Sequence, residues 1–363
     1  MDGKHVSGKL VFQDGLFFEG KSFGKSTSIA GEIVFTTGMS GYPEALTDPS
    51  YTGQILIFTY PLLGNYGVPA REKWESKKIH AAGVIVSQYI DTPSHPSSAM
   101  TLGEWLVRQN IPALEIKDTR ALTQKIRTEG ATLGKIIIGK KNIPFADPNI
   151  RNLVDEVSIK APMTYPGNGK RTILLVDCGA KENIVRDLIA RGVRVMRVPW
   201  NYDFLGTGVP QFDGIVISNG PGDPTMAGAT TANVRKAMKR NIPILGICLG
   251  NQILALAAGG STYKLKFGHR SQNQPCRLVG SNRSYLTTQN HGFAVKKIPD
   301  GFKPWFINAN DGTNEGLLHE KLPFMSVQFH PEANPGPLDT GWIFDYFLKH
   351  IKYPAANREK DKK

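Results

Sequence analysis

Apolar residues in the first 150 positions recur first at the spacing of strands and then at the spacing of helices. Residues 9–18 carry Asp14 and Gly15 between two apolar stretches, which predicts a β-hairpin. Asp118 precedes a helical pattern and is its predicted N-cap. The other predicted strands are residues 32–36, 54–59 and 82–86, and the predicted helices are residues 101–109 and 118–128.

After Lys170 short apolar runs alternate with amphipathic stretches, which is typical of a parallel sheet with helices on both faces. The predicted fold class is α/β, with a β-rich α/β N-terminal domain followed by a domain whose central sheet is mainly parallel. From Tyr263 onward shorter β segments are predicted, followed by a closing helix over residues 338–351. We predict domains at 1–160 and 171–352, a proline- and glycine-containing linker at 161–170 and a basic tail at 353–363.

The chain has 363 residues and a formal charge of +13, from 44 basic and 31 acidic residues. The basic residues are scattered, so we expect no nucleic-acid partner. No apolar run is long enough for a membrane span and no secretory leader pattern is visible, so we expect no membrane association. Three cysteines are too few for a disulfide framework, which favours a cytoplasmic location.

The segment from Gly15 to Ser22 matches the phosphate-loop pattern G-x-x-x-x-G-K-[ST] letter for letter. A phosphate loop must run from a buried strand into a helix N-terminus. Here the loop positions are Leu-Phe-Phe-Glu, which favour a strand, and no helical pattern follows. We therefore interpret this segment as part of the hairpin.

Cys248 lies in Gly246-Ile-Cys-Leu-Gly250, between an apolar strand and a helical pattern. This is the G-x-nucleophile-x-G elbow, in which glycines allow a sharp turn that exposes the nucleophile. The start of the following helix stabilises negative charge on a thiol there. A small buried cysteine at a strand end is the alternative.

The segment Gln328-Phe-His330-Pro-Glu332 supplies a candidate base. In an extended segment, residues two apart point to the same side, so a carboxylate at 332 can hold the imidazole at 330 in one tautomer. A structural histidine before a proline turn is the alternative. Together with the elbow, the pair favours nucleophilic catalysis by Cys248.

A third motif, Ser218-Asn-Gly220-Pro-Gly222-Asp-Pro224, directly follows a predicted strand. Its glycines can direct backbone N–H groups toward an adjacent oxyanion, and the N–H of Leu249 is the natural second donor. A plain glycine-proline turn is the alternative.

These three motifs, in this order, resemble the class I (triad) glutamine amidotransferases. The N-terminal half narrows the resemblance to the small, glutamine-hydrolysing chain of carbamoyl-phosphate synthase, over about residues 8–349. The segments that carry it are residues 38–51, 59–67, 118–120, 134–135 and 156–158. The resemblance implies a class I glutamine amidotransferase fold for the second domain.

The resemblance also implies roles for individual residues. Cys248 is expected to be the nucleophile, His330 the base and Glu332 its orienting partner. The implied L-glutamine contacts are Ser50, Gly220, Gly222, Leu249, Gln252, Asn290, Gly292 and Phe293. Ser50 belongs to the N-terminal domain, so the resemblance implies a site at the domain interface. No metal ligand is implied.

One position departs from the family pattern, which usually has histidine where this chain has Asn251. Asparagine cannot act as a base, so we expect weaker glutamine binding than in relatives that carry histidine.

The resemblance further implies a large synthetase subunit as partner, because nothing in this chain resembles an ATP-grasp domain. We expect no cofactor in this chain, with ATP and Mg²⁺ bound by the partner, and carbamoyl phosphate destined for arginine and pyrimidine synthesis. Two alternatives stay open. A free-standing cysteine hydrolase such as a γ-glutamyl peptidase has no use for residues 1–150, and a non-catalytic regulatory subunit releases no glutamate.

Overall fold

Residues 6–351 are described by a computed structural model, and the predicted basic tail at 353–363 lies outside them. The chain divides into two units. The first comprises residues up to Leu153 together with Lys264–Asn273 and Asn334–Gly336, and the second comprises the rest. This boundary precedes the predicted linker, whose residues 163–165 form a strand of the second unit instead of a free connection.

The first unit is built around a closed barrel with strand order β1-β2-β8-β6-β4-β3-β9 among the described residues. Two short strands, β5 and β7, pair separately. Alternate barrel residues such as Leu10, Ile33 and Ile55 are fully buried in one core. The strands are β1 (Ser7–Phe12), β2 (Phe17–Ser22), β3 (Ile29–Thr36), β4 (Gln54–Phe58), β5 (Leu62–Leu63), β6 (Gly83–Val86), β7 (Gln88–Tyr89), β8 (Ala113–Glu115) and β9 (Thr132–Ile138).

The predicted hairpin is confirmed, because β1 and β2 pair antiparallel around a turn at Asp14 and Gly15. The N–H of Leu16 donates to Oδ1 of Asp14 at 3.0 Å, and Gly15 takes a positive φ of 92°. The phosphate-loop match therefore lies on the turn and on β2, without a following helix.

Two helices of the first unit begin at the caps that their sequences encode. Thr101 and Glu104 form a reciprocal capping box at the start of α2, and Asp118 caps α3, as predicted. The helices are α1 (Tyr42–Thr47), α2 (Leu102–Arg108) and α3 (Thr119–Glu129), and 3₁₀ turns cover Pro49–Tyr51, Arg71–Lys73 and Pro148–Ile150.

Within the described residues a ten-stranded sheet has the order β10-β12-β11-β13-β14-β19-β18-β17-β15-β16, and its strands belong to the second unit apart from Lys264–Asn273 of β15. The pairs β11–β12, β11–β13, β13–β14 and β14–β19 are parallel, and the pairs β10–β12, β15–β17, β17–β18 and β18–β19 are antiparallel. The strands are β10 (Met163–Tyr165), β11 (Thr172–Asp177), β12 (Arg194–Pro199), β13 (Gly214–Ile217), β14 (Ile244–Ile247), β15 (Ser261–Leu278), β16 (Ser284–Lys297), β17 (Phe302–Asn308), β18 (Asn314–His319) and β19 (Phe324–Val327).

Helices cover both faces of this sheet, as predicted. Ile173 and Leu175 of β11 pack in one core with residues of α5 and α8. Leu174 and Val176, which point to the opposite face, pack in a second core with residues of α6 and α7. The helices are α4 (Leu153–Val157), α5 (Glu182–Ala190), α6 (Gly228–Lys239), α7 (Leu249–Ala257) and α8 (Trp342–His350), and a 3₁₀ turn covers Pro224–Met226.

The prediction of shorter β segments after Tyr263 is wrong for two strands. β15 has 18 residues and β16 has 14. Both contain many polar residues that are exposed or half-buried, so their hydrophobic pattern is too weak to show their length. None of the helices within residues 6–351 is long and apolar enough to cross a membrane.

Candidate active site

The three predicted motifs follow three adjacent parallel strands of the second unit. Cys248 follows β14, the Gly220–Gly222 loop follows β13, and His330 follows β19. These strands are neighbours in the order β13-β14-β19. The carboxyl ends of parallel strands meet at one sheet edge, which is where α/β proteins place their ligand sites.

Cys248 occupies a strained backbone conformation between β14 and α7, with φ 54° and ψ −101°. A Cβ atom on Gly246 would lie 2.4 Å from the carbonyl oxygen of Gly250. A Cβ atom on Gly250 would lie 2.2 Å from the carbonyl oxygen of Ile217. The two flanking glycines are therefore required by close backbone packing, as expected for a nucleophile elbow.

The Cys248 thiol is almost fully buried. Its S–H donates to the carbonyl oxygen of Asn290 on β16 at 3.7 Å, and its backbone N–H donates to Val327 at 2.8 Å. Leu249 is the first residue of α7, so its N–H has no acceptor within the helix. This end of α7 therefore presents both a thiol and a backbone donor.

His330 and Glu332 are both buried, and Nδ1 of the imidazole lies 2.6 Å from Oε1 of the carboxylate. Nδ1–H donates to the carboxylate, which leaves Nε2 as the proton-accepting nitrogen. Among residues 6–351, Nε2 is buried and has no hydrogen-bond partner. Burial opposes the charged imidazole, but the charges of Glu332 and Cys248 outweigh it and raise the pKa of His330 to about 10.

Lys181 completes this buried group, and sequence reasoning missed it. Its Nζ lies 3.2 Å from Oε1 of Glu332 and also donates to the carbonyl oxygen of Ala333. Burial alone raises the pKa of Glu332, but the charges of Lys181 and His330 outweigh it and lower the pKa to about 2. Glu332 therefore stays ionised across the physiological pH range. The signal available in the sequence was a lysine shortly after the predicted strand that ends near residue 176.

The glycine-rich loop after β13 is packed against the same sheet edge. A Cβ atom on Gly220 would lie 2.1 Å from the carbonyl oxygen of Cys178, and Gly222 takes a positive φ of 81°. The N–H of Gly250 donates to the carbonyl oxygen of Ser218 at 3.1 Å. Glycine is therefore required at both loop positions, and a backbone hydrogen bond joins the loop to the elbow.

The other predicted glutamine contacts of this unit lie on α7 and β16. Asn290, Gly292 and Phe293 are on β16, and Gln252 is on α7. Nε2 of Gln252 donates to the carbonyl oxygen of Phe293 at 2.8 Å. The second unit thus brings together Cys248 with the predicted contacts of α7 and β16.

Asn251 is fully buried, and its amide makes hydrogen bonds at both ends. Nδ2 donates to Oε1 of Gln328 at 3.0 Å, and Oδ1 accepts from the hydroxyl of Ser326 at 2.8 Å. The effect of this residue on glutamine affinity stays a prediction.

Ser50 belongs to the first unit, where it lies in the 3₁₀ turn Pro49–Tyr51. Its side chain is buried, and its N–H donates to Oδ1 of Asp48 at 2.9 Å. Its role as a substrate contact stays a prediction from the family resemblance.

Two family models match the chain. Residues 10–136 match the CPSase domain of the carbamoyl-phosphate synthase small chain, and residues 174–350 match glutamine amidotransferase class-I. A carbamoyl phosphate synthase arginine-specific small chain of Neosartorya fischeri is 44% identical over 98% of this chain and 82% of its own length. The chain belongs to the carbamoyl-phosphate synthase small-chain family.

Longer proteins also match. Multifunctional protein CAD of Squalus acanthias is 50% identical over 94% of this chain, which spans only 16% of that protein's length. Among solved structures, a glutamine amidotransferase from Thermotoga maritima is 19% identical, with a TM-score of 0.38 over 53% of this chain and 91% of its own.

Proposed function

We propose that this chain is the glutaminase component of a glutamine-dependent carbamoyl-phosphate synthase. The observation that carries the proposal is the buried Cys248 at a strained elbow, next to an imidazole held by an ionised carboxylate. The substrate of the proposal, L-glutamine, and the product that takes up its ammonia, carbamoyl phosphate, come from the family to which the chain belongs.

The reaction begins when the Cys248 sulfur attacks the side-chain carboxamide carbon of L-glutamine. The thiol proton is transferred to Nε2 of His330, whose raised pKa retains it, and His330 then gives it to the departing nitrogen, so that ammonia leaves and a γ-glutamyl thioester remains. Water then attacks the thioester with His330 as base, which releases glutamate and regenerates the thiol. Glu332 keeps the imidazole in the required tautomer and stabilises its charged form.

Negative charge develops on the carbonyl oxygen of the substrate in both steps. The N–H of Leu249 is the candidate donor at the start of α7, and the loop containing Gly220 and Gly222 is the candidate second source of donors. Gln252, Asn290, Gly292 and Phe293, together with Ser50, are the candidate contacts to the rest of L-glutamine.

The partner in this proposal is the large synthetase subunit, or a synthetase region of the same polypeptide. It consumes bicarbonate and two ATP with Mg²⁺, while this chain needs no cofactor of its own. Ammonia must pass directly to the partner because free ammonia in water at neutral pH is mostly ammonium, which is not nucleophilic. Carbamoyl phosphate then serves arginine synthesis, pyrimidine synthesis or both, in a reducing cytoplasm.

The test is a glutaminase assay of the chain alone and with its synthetase partner. The proposal expects glutamate release in both, and carbamoyl phosphate formation from glutamine in the complex. A chain that binds the synthetase but releases no glutamate would be a regulatory subunit instead. A chain that hydrolyses γ-glutamyl peptides without binding a synthetase would be a free-standing hydrolase.

A further inference from the structure

Four buried polar side chains form one hydrogen-bonded series behind the elbow, here called the amide chain: Ser326, Asn251, Gln328 and Gln252. The Ser326 hydroxyl donates to Oδ1 of Asn251 at 2.8 Å. Oε1 of Gln328 then accepts from Nδ2 of Asn251 at 3.0 Å and from Nε2 of Gln252 at 3.1 Å. The series thus joins β19 to the first turn of α7.

A backbone carbonyl fixes the direction of every hydrogen bond in the amide chain. Nε2 of Gln252 lies 2.8 Å from the carbonyl oxygen of Phe293, and a carbonyl can only accept. The nitrogen of Gln252 must therefore face Phe293 and Gln328, so Gln328 must present its oxygen. Asn251 must then present its nitrogen to Gln328 and its oxygen to Ser326, which donates.

The fixed orientation has a consequence for Gln252. Both N–H groups of its amide are used by protein acceptors, Phe293 and Gln328. Among residues 6–351, none donates to its Oε1. Gln252 can therefore recognise a ligand only as an acceptor, through this oxygen, and L-glutamine carries two donors, its ammonium and its carboxamide N–H groups.

We propose that Ser326 and Asn251 are positioning residues that, through Gln328, hold the Gln252 amide with its oxygen available to the substrate. The inference rests on the proposed glutaminase function. Neither residue touches the reacting atoms, so their removal weakens substrate binding while the chemistry at Cys248 proceeds at its usual rate.

The experiment compares glutamate release by wild type, Ser326→Ala and Asn251→Asp in the full chain with its synthetase partner. Ser326→Ala removes the hydrogen bond that Oδ1 of Asn251 accepts and so loosens the series, and the expected rise in KM for glutamine is about two- to twelve-fold, with kcat nearly unchanged. Aspartate has the shape of asparagine, but in Asn251→Asp a carboxylate oxygen faces Oε1 of Gln328, and two acceptors repel each other. The KM for glutamine is therefore expected to rise further than in Ser326→Ala. Asn251→Asp also supplies the test if Ser326→Ala does not fold.

Ser281→Ala is the matched control, because Ser281 also donates a hydrogen bond, to Leu278, at 3.1 Å in a turn. It is expected to keep the wild-type KM. If wild type releases glutamate but the KM of Ser326→Ala and of Asn251→Asp equals that of wild type, the positioning role is wrong while the glutaminase function stands. A loss of kcat without a rise in KM also overturns it. If wild type itself releases no glutamate, both proposals fail.

Discussion

The ammonium group of Lys181 lies 3.2 Å from the carboxylate of Glu332, and both side chains are buried. The same carboxylate oxygen accepts from Nδ1 of His330 at 2.6 Å. The buried carboxylate of Glu332 is therefore shared by the ammonium group of Lys181 and the imidazole of His330. Removing either partner leaves a charge that water cannot reach, which makes this group sensitive to single substitutions.

Lys181→Met tests that sensitivity. Breaking one side of a buried ion pair typically costs about 3–5 kcal/mol, so the free energy of unfolding is expected to fall by that amount. Glutaminase kcat is expected to fall as well, because Glu332 loses its main stabilising charge. Urea unfolding and a glutamate-release assay measure the two effects.

The matched control is Lys160→Met, since Lys160 pairs with Asp155 at 3.5 Å where both side chains are largely exposed. Exposed pairs contribute about 0–1 kcal/mol, so little change in stability is expected. Equal effects of the two substitutions would contradict the argument from burial.

Cys248→Ser is expected to abolish carbamoyl phosphate synthesis from glutamine, because the proposed mechanism makes Cys248 the nucleophile. Synthesis from added ammonium salt is expected to persist, since the partner's sites are unchanged. Both rates are measured on the complex. Continued use of glutamine by this variant would show that Cys248 is not the nucleophile.

Asn251→His is expected to lower the KM for glutamine or to raise kcat. A neutral imidazole can accept from Ser326 and donate to Gln328, as the amide now does, and it adds a group able to carry a proton. Steady-state glutaminase kinetics measure the change. An unchanged kcat/KM would show that asparagine serves equally well here.

Ser50→Ala is expected to raise the KM for glutamine about two- to twelve-fold, the effect of losing one hydrogen bond of about 0.5–1.5 kcal/mol. Ammonia-dependent synthesis in the complex should not change and serves as the control. A wild-type KM would remove Ser50 from the substrate contacts that the family resemblance implies.

The raised pKa of His330 predicts a pH dependence of stability. The folded protein holds this proton up to about pH 10, whereas an unfolded histidine releases it near pH 6.5. The contribution of His330 is therefore complete below about pH 6.5 and is lost as the pH rises toward 10. The stability difference between wild type and His330→Asn should shrink across this window, by at most about 1.4 kcal/mol per pH unit. A difference that stays constant in urea unfolding at pH 6, 7.5 and 9 would contradict the assignment.

The placement of the candidate site was largely predictable because its motifs are short and lie at strand ends. A strand followed by Gly246-Ile-Cys248-Leu-Gly250 requires a sharp turn. The pairing of His330 with Glu332 was also expected, but the segment after β19 is a turn, closed by a hydrogen bond from the N–H of Ala333 to the carbonyl oxygen of His330 at 3.1 Å, and not the extended segment from which the pairing was predicted. Each signal depends only on neighbours in the sequence. The hairpin at Asp14 and Gly15 was predictable for the same reason.

Local pattern could not show which distant side chains meet these motifs. Lys181 precedes Glu332 by about 150 residues, and only the order of strands brings the loop after β11 to the same sheet edge. For Asn251, the sequence showed only that an imidazole was missing, whereas the fold supplied Ser326 and Gln328 as hydrogen-bond partners. The sequence by itself determined which groups could react, and the tertiary structure decided which buried charges and amides hold them, because burial and pairing depend on contacts between elements far apart along the chain.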